Sequence, residues 1–375
     1  MIRPGISRLL DQRQELIAGK RIGVFTNQTG VLPDLTPIGT ALGRVAQVAA
    51  FFAPEHGLLG AAAHGEDIAD AADRSGVPIY SLYGPDMDSL PARLADLDAL
   101  VCDIQDIGCR FYTYVWTLTQ LMEAAAGASI PIIVTDRPNP IGAQVEGPGV
   151  EAPYRSLVGL HNVPIRHGLT IGELALLVNR EASIGCDLTV VPCDGWKRDM
   201  TWGETGLPWV APSPNMPAPE TAVLYPGTCL LEGTNVSVGR GTARPYEWLG
   251  APWIDAVALA SALNDLGLPG LRWRPLQYLP CAAPYAGELC EGVQPHVVDG
   301  ATARPVAAGV ALTAAIRHMY PTRFVWDVTH FDRLAGSAGL REQIDAATAL
   351  PEISASWQAN EQRFGAIVRE VQLYS

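Results

Sequence analysis

Apolar runs alternate with helical stretches through the first half of the chain. The runs are nearly continuous in apolar residues, a pattern typical of strands that are buried on both faces of a parallel sheet. We predict strands at Arg21–Thr26, Val45–Ala53, Val77–Tyr83, Leu97–Ile104, Ile130–Thr135 and Asp187–Val191. Helices are predicted near Leu35–Arg44, over Tyr112–Ala126, and from a Thr170–Glu173 capping box to Arg180. The pattern predicts an α/β fold with a parallel sheet.

The second half of the chain has a different texture. Prolines and tryptophans are dense between Thr201 and Tyr246, which predicts a long irregular segment, and such segments are usually functional. A further alternating unit follows, with predicted helices at Ile254–Leu266 and Val306–Tyr320 and predicted strands at Leu271–Leu279 and Gly292–Val298. We therefore predict a larger α/β domain over residues 1–235 and a smaller α+β domain over residues 236–375 that closes a cleft.

Composition limits the partners of the protein. Hydrophobic residues make up 48% of the 375 residues and charged residues 17%, so a large core is possible and disorder is disfavoured. The formal net charge is −13, which opposes nucleic-acid binding because that function needs a concentrated basic face. No apolar run approaches the roughly 18 residues of a membrane span. Neither nucleic acid nor a membrane is expected as a partner.

The compartment is predicted from the beginning of the chain and from its cysteines. The first twenty residues contain no apolar segment of the kind that marks a signal peptide. Seven cysteines without C-x-x-C spacing favour reduced, buried thiols over disulfides or zinc. A cytoplasmic location is expected for the chain as written, and a periplasmic or secreted one if a leader has been removed.

Polar clusters follow two early strands and are the main candidates for chemistry. No P-loop, no G-x-G-x-x-G after the first strand and no G-x-S-x-G elbow occurs, which disfavours an NTPase, a nicotinamide enzyme and an ordinary serine hydrolase. Instead, within Val24–Gly30 an apolar run gives way to Asn27 and Gln28. A second apolar run stops at Glu55, and Glu66 follows it. Open α/β sheets bind ligands where their strands end, so these clusters predict one shared crevice.

Each carboxylate has a catalytic and a structural interpretation. Glu55 follows Phe51-Phe52-Ala53-Pro54, and a carboxyl beside apolar groups is expected to have the raised pKa of a general acid. It can equally accept backbone N–H groups in a tight turn. Glu66 can complement a helix dipole instead of taking part in catalysis. Asp103, Asp106 and Asp136 also follow strands and can serve as caps or ion-pair partners.

The histidines near these carboxylates offer a metal-site alternative. His56, His64 and Glu66 are close in the sequence, yet their spacing matches no established ligand pattern. We therefore expect no metal and no cofactor, and we keep a metal-dependent hydrolase built on these three residues as the alternative.

Several blocks resemble the NamZ-type exo-β-N-acetylmuramidases, a family long catalogued as a domain of unknown function. The match extends over nearly the whole chain, and its blocks are Gly23–Gly30, Pro54–Gly57, Gly65–Asp67, Asp103–Gly108, Thr135–Pro140, Pro212–Pro217, Tyr225–Thr228 and Glu232–Thr242. The resemblance implies a Rossmann-like catalytic domain with a smaller C-terminal domain. It also implies release of N-acetylmuramic acid from the non-reducing ends of peptidoglycan sugar chains, with Glu55 and Glu66 as the catalytic acids.

We interpret the chain as a metal-independent glycoside hydrolase, with a non-catalytic saccharide-binding protein as a further alternative. Glu55 is favoured as the acid and Glu66 as its partner, with exchanged roles or substrate assistance by the N-acetyl group left open. The carboxylate of the muramic acid lactyl group needs a local cation, for which Arg137 and Arg240 are candidates. The remaining predicted substrate ligands are Asn27, Gln28, His56, Asp103, Gln105, Asn139, Asn215 and Asn235.

Overall fold

The computed structural model describes residues 2–83 and 89–375. Over these ranges the main sheet has seven strands, in the order β3-β4-β2-β1-β5-β6-β7. Its strands are β1 (Arg21–Thr26), β2 (Gln47–Ala53), β3 (Ala71–Ala72), β4 (Pro78–Ser81), β5 (Ala99–Asp103), β6 (Ile132–Thr135) and β7 (Leu188–Val191). All neighbouring pairs are parallel except β3 and β4. The α/β prediction is confirmed.

The strand order gives the sheet a switch point between β1 and β5. From β1 the chain builds outward through β2 and β4, and it then returns to place β5 on the other side of β1. In a doubly wound sheet the loops after these two central strands diverge and leave a crevice at the carboxyl edge. This is the Rossmann-like topology that the sequence predicts.

Helices cover the sheet and explain why its strands are so apolar. Every residue of β5 and β6 is buried, and in β1 only Arg21 is exposed. The helices are α1 (Gly5–Gln12), α2 (Ile38–Leu42), α3 (Leu90–Leu94), α4 (Tyr114–Ala128), α5 (Ile171–Glu181), α6 (Trp202–Thr205), α7 (Pro219–Thr228), α8 (Ala256–Asp265), α9 (Pro305–Met319), α10 (Val328–Ala335), α11 (Gly339–Asp345) and α12 (Leu350–Val368). The predicted capping box is present, because Thr170 accepts from the Glu173 N–H at the start of α5.

A smaller antiparallel sheet lies in the second half of the chain. Its order is β8-β10-β9, formed by Leu249–Ala251, Cys290–Val297 and Leu271–Tyr278. Buried and exposed positions largely alternate along β9, as expected for a sheet with one face on the core. Helix α8 packs on β9 and β10, and α9 contacts both α8 and α7. The predicted boundary at residue 235 remains a prediction.

The expectation of a wholly irregular segment between Thr201 and Tyr246 is wrong. Helix α7 occupies ten of its residues, and a 3₁₀ helix at Cys229–Gly233 follows directly. Pro219 lies at the start of α7, where its missing N–H has no intrahelical acceptor, so this proline favours the helix. The density of prolines hid the helix from the sequence pattern. No helix in the described ranges is long and apolar enough to cross a membrane.

Candidate active site

A cavity lies beyond the carboxyl edge of the sheet, between the main sheet and the C-terminal part of the chain. Its volume is about 580 Å³ when the open space at its entrance is included. Glu55 and His56 enter it from the loop after β2, and Tyr112–Tyr114 from the segment after β5. The opposite wall includes Glu232, Arg240, Tyr246 and His330. Loops from both sides of the switch point therefore contribute to this site.

Glu55 is the most deeply buried carboxyl in the cavity wall, with 4% of the residue exposed. Its Oε1 lies 2.7 Å from Nδ1 of His64 and accepts the Gly65 N–H at 3.3 Å. Its Oε2 accepts the Thr113 hydroxyl at 3.1 Å. The carboxyl is thus fixed by the loop that follows it and by the beginning of α4, 58 residues later in the sequence.

The expectation of a raised pKa for Glu55 is wrong. Burial is the largest influence and raises this pKa, but the hydrogen bond and charge of His64, the charge of His56 and the Gly65 N–H outweigh it. The net pKa lies below the ordinary value because each of these contacts favours the carboxylate. The sequence alone could not supply this result, since it depends on where the His64 ring lies.

The position of the His56 ring is set by an unusual backbone conformation and by a side-chain hydrogen bond. Its φ is 73°, in the left-handed region, and the following Gly57 has a φ of 77°. The Nδ1 of His56 lies 2.8 Å from the Ala62 carbonyl, so Nδ1 carries the proton and donates it. Burial lowers the pKa of His56 below its ordinary value, which favours a neutral ring.

The second charged group of the cavity is centred on Arg240. Its Nε and Nη2 donate to Oε1 of Glu232 at 2.9 and 2.6 Å, and Nη2 also donates to the Tyr246 hydroxyl at 2.7 Å. The Nε2 of His330 lies 4.0 Å from the other Glu232 oxygen. One arginine, one carboxylate and a histidine thus lie in the same wall.

Glu66 lies outside the cavity lining. Its side chain is exposed, and its Oε2 accepts the Ala63 N–H at 2.9 Å. The loop that carries Glu66 also supplies His64 and Gly65, which both contact Glu55. The catalytic role of Glu66 stays a prediction.

Asp103 and Arg137 form a buried ion pair away from the cavity lining. The Nε of Arg137 donates to Oδ1 of Asp103 at 2.7 Å, and its Nη2 donates to the Val31 carbonyl at 2.7 Å. Thr135 donates to the second Asp103 oxygen at 2.7 Å. The guanidinium that was predicted as a substrate ligand is therefore engaged in tying three strand-end loops together.

One of the predicted amide ligands lies in the cavity wall, and the others lie outside it. Asn215 lines the cavity, and its side chain has no hydrogen-bond partner in the described ranges. The others hydrogen-bond backbone groups of neighbouring loops outside the lining: Asn27 to Thr29 and Pro212, Gln28 to Ala211, Gln105 to Asp106 and Pro138, Asn139 to Ile141 and Leu169, and Asn235 to Arg323 and Val325. Their visible role is to hold the loops at the carboxyl edge in place.

Sequence reasoning missed several cavity residues. Glu232, Thr113, Tyr246 and His330 were not proposed as ligands, although Glu232 opens a recognised block and lies eight residues before Arg240. That spacing within one block was the available signal for Glu232. His330 comes 90 residues after Arg240, and no local pattern links them.

The three side chains of the metal alternative have separate partners. His56 contacts the Ala62 carbonyl, His64 contacts Glu55, and Glu66 accepts from Ala63. In residues 2–83 and 89–375, no group of three histidine, cysteine or carboxylate side chains is placed to hold a metal ion.

A cavity with two carboxyls and an arginine at the switch point of a parallel sheet is typical of α/β enzymes. Family models described as the N-terminal and C-terminal parts of the exo-β-N-acetylmuramidase NamZ match residues 22–220 and 223–374. The chain therefore belongs to the NamZ exo-β-N-acetylmuramidase family of glycoside hydrolases.

Individual relatives agree with this assignment. The chain is similar to the peptidoglycan β-N-acetylmuramidase NamZ of Bacillus subtilis (strain 168), with 42% identity over all of this chain and 91% of that protein. It is also similar to two crystal structures of DUF1343 family proteins from Bacteroides fragilis NCTC 9343. These have 36% and 31% identity and TM-scores of 0.92 and 0.79, and each comparison covers 100% of this chain and 99% of the other.

Proposed function

We propose that this protein is an exo-acting glycoside hydrolase that releases N-acetylmuramic acid from the non-reducing end of peptidoglycan-derived sugar chains. The observation that carries the proposal is a single cavity that holds both a buried carboxyl, Glu55, and a fixed arginine, Arg240. A glycosidase needs the first, and recognition of an acidic sugar needs the second. The similarity to a relative named as a peptidoglycan β-N-acetylmuramidase supports the same substrate class.

The proposed chemistry uses Glu55 and Glu66. One carboxyl group protonates the glycosidic oxygen as the bond to the anomeric carbon breaks, and that bond's electron pair goes to the departing sugar. The other carboxylate activates water or attacks the anomeric carbon, unless the acetamido group of the substrate does so. The lowered pKa of Glu55 in the free protein favours its carboxylate, which also supports the exchanged assignment with Glu55 as base or nucleophile.

Arg240 is the proposed ligand of the lactyl carboxylate. The net charge of −13 disfavours an acidic sugar at long range, so its carboxylate needs a cationic hydrogen-bond donor in direct contact. Arg240 lies in the cavity wall and its Nη1 makes no hydrogen bond in the described part of the chain, whereas Arg137 is engaged by Asp103 and Val31. Asn215 is available in the same wall for the sugar hydroxyls.

The test is hydrolysis of a chromogenic N-acetylmuramic acid glycoside beside its N-acetylglucosamine counterpart. Turnover of the muramoside alone supports the proposal, and it also eliminates a non-catalytic saccharide-binding protein. No turnover of either substrate by the folded protein overturns it. Cell fractionation tests the predicted compartment separately.

A further inference from the structure

One edge of the Arg240 guanidinium is fully committed to a single carboxylate. Its Nε and Nη2 both donate to Oε1 of Glu232, and the two side chains are only 20% and 14% exposed. Two hydrogen bonds from a planar guanidinium fix its orientation as well as its distance. Nη1 remains without a hydrogen-bond partner within residues 2–83 and 89–375.

Tyr246 is hydrogen-bonded to both members of this pair. Its hydroxyl accepts from Nη2 of Arg240 at 2.7 Å and donates to Oε1 of Glu232 at 2.9 Å. The Cζ of Arg240 lies 5.5 Å from the centre of the Tyr246 ring. Tyr246 itself has a φ of 61°, a left-handed conformation that is rare for a bulky residue and is kept only where the surroundings enforce it.

The backbone around Arg240 is equally constrained. The glycines on either side, Gly239 and Gly241, both have a φ of 75°. A Cβ at Gly239 would come within 2.6 Å of the Trp248 carbonyl oxygen, and one at Gly241 within 2.4 Å of the Ala282 nitrogen. The backbone on both sides of Arg240 is therefore packed against other backbone, which fixes the point from which the side chain extends.

The charges of the pair persist across the working range of pH. Burial raises the pKa of Glu232, but the contacts with His330 and Arg240 outweigh burial and lower this pKa to about 2. Burial lowers the pKa of Arg240, but Tyr246 and Glu232 raise it overall. Both groups therefore stay charged near neutral pH, and the ion pair is kept there.

We propose that Glu232 and Tyr246 are positioning residues for substrate specificity, which hold Arg240 so that its free Nη1 meets the carboxylate of the bound sugar. This inference rests on the proposed role of Arg240 in the cavity. Since Glu232 offsets most of the charge of Arg240, recognition depends on the direction of one charge-assisted hydrogen bond more than on net charge. An anion of the wrong shape gains little from such a site.

The experiment compares Glu232→Gln, Tyr246→Phe and Arg240→Ala with the wild type. The readouts are kcat and KM on the chromogenic muramoside and the Kd of free N-acetylmuramic acid and free N-acetylglucosamine. Asp332→Asn is the matched control, because Asp332 receives two hydrogen bonds of 2.9 Å from Arg341 outside the cavity lining. Thermal unfolding establishes that each variant is folded, and Tyr246→Phe carries the test if Glu232→Gln does not fold.

The expected result is a selective loss of affinity for N-acetylmuramic acid. Glu232→Gln and Tyr246→Phe should raise the KM and the Kd for N-acetylmuramic acid by about tenfold, while kcat and the Kd for N-acetylglucosamine change little. The control should keep both affinities. If Arg240→Ala leaves the N-acetylmuramic acid Kd unchanged, the proposed role of Arg240 itself fails.

Two other outcomes overturn only the positioning inference. One is that Arg240→Ala weakens N-acetylmuramic acid binding while Glu232→Gln and Tyr246→Phe do not. The other is that Glu232→Gln lowers kcat at an unchanged KM, which assigns Glu232 to the chemistry instead.

Discussion

Nδ1 of His64 lies 2.7 Å from Oε1 of Glu55, and this contact governs the charge of the most buried carboxyl in the cavity. Removal of the ring takes away the hydrogen bond and the charge that most lower this pKa, while burial still raises it. His64→Ala should therefore raise the pKa of Glu55. The measurement is a ¹³C NMR titration of the glutamate carboxyls, with His296→Ala, an exposed histidine on β10, as the control.

The contact between His64 and Glu55 should also make the stability of the fold depend on pH. The folded-state pKa of Glu55 is lowered, so its contribution is present above the unfolded-state pKa and is lost as pH falls through the folded-state pKa. The stability difference between wild type and His64→Ala should shrink as pH falls below about 4. A difference that stays constant down to pH 3 would show that His64 does not act through Glu55.

Replacement of either proposed catalytic carboxyl should lower turnover strongly. Glu55→Gln and Glu66→Gln are each expected to reduce kcat on the muramoside by about two orders of magnitude or more, the usual size of an acid–base contribution. Glu123→Gln, an exposed glutamate on α4, is the control. Because Glu66 is exposed, its variant is the more discriminating one, and near-wild-type kcat in a folded protein would remove Glu66 from the mechanism.

Arg137 should matter for stability more than for specificity. Arg137→Met leaves the buried Asp103 carboxyl without its cation, which typically costs about 3–5 kcal/mol of unfolding free energy. Urea unfolding measures the loss, and the added change Asp103→Asn should recover part of it. The preference for muramosides should persist, and a changed preference at unchanged stability would contradict this assignment.

Asp106 should make stability depend on pH in the opposite direction to Glu55. Burial raises its pKa to about 7, and its Oδ1 has no hydrogen-bond partner among the described residues. A raised folded-state pKa stabilises the fold below the unfolded-state value, and that stability is lost as pH rises through about 7.

Asp106→Asn cannot ionise and should therefore gain stability relative to wild type between pH 5 and pH 8. Urea midpoints at both values measure the gain, with exposed Asp265→Asn as the reference. An equal difference at both pH values would mean that Asp106 does not titrate in this range.

A chelator distinguishes the metal alternative from the proposed chemistry. Because His56, His64 and Glu66 each have a different partner, muramoside turnover should be unchanged after dialysis against EDTA. Loss of activity that returns with one added divalent metal would reinstate a metal-dependent hydrolase.

Local sequence was sufficient where the structure depends on local physics. The buried strands β1, β5 and β6 were predictable because continuous apolar runs leave few alternatives, and the Thr170–Glu173 cap because both partners lie within one turn. Helix α7 was not, since prolines at Pro219 and Pro226 mask a segment that tertiary packing against α9 stabilises.

The site itself was determined partly by sequence and partly by the fold. The loop of Glu55 was identifiable because polar residues that follow buried parallel strands lie at the same sheet edge. The segment of Arg240 was identified by its resemblance block and its flanking glycines. Only the tertiary structure decided that Arg137 pairs with buried Asp103 and that His64 lowers the pKa of Glu55. Charge states and hydrogen-bond partners depend on distances of a few ångströms between residues far apart in the chain, which spacing along the sequence does not encode.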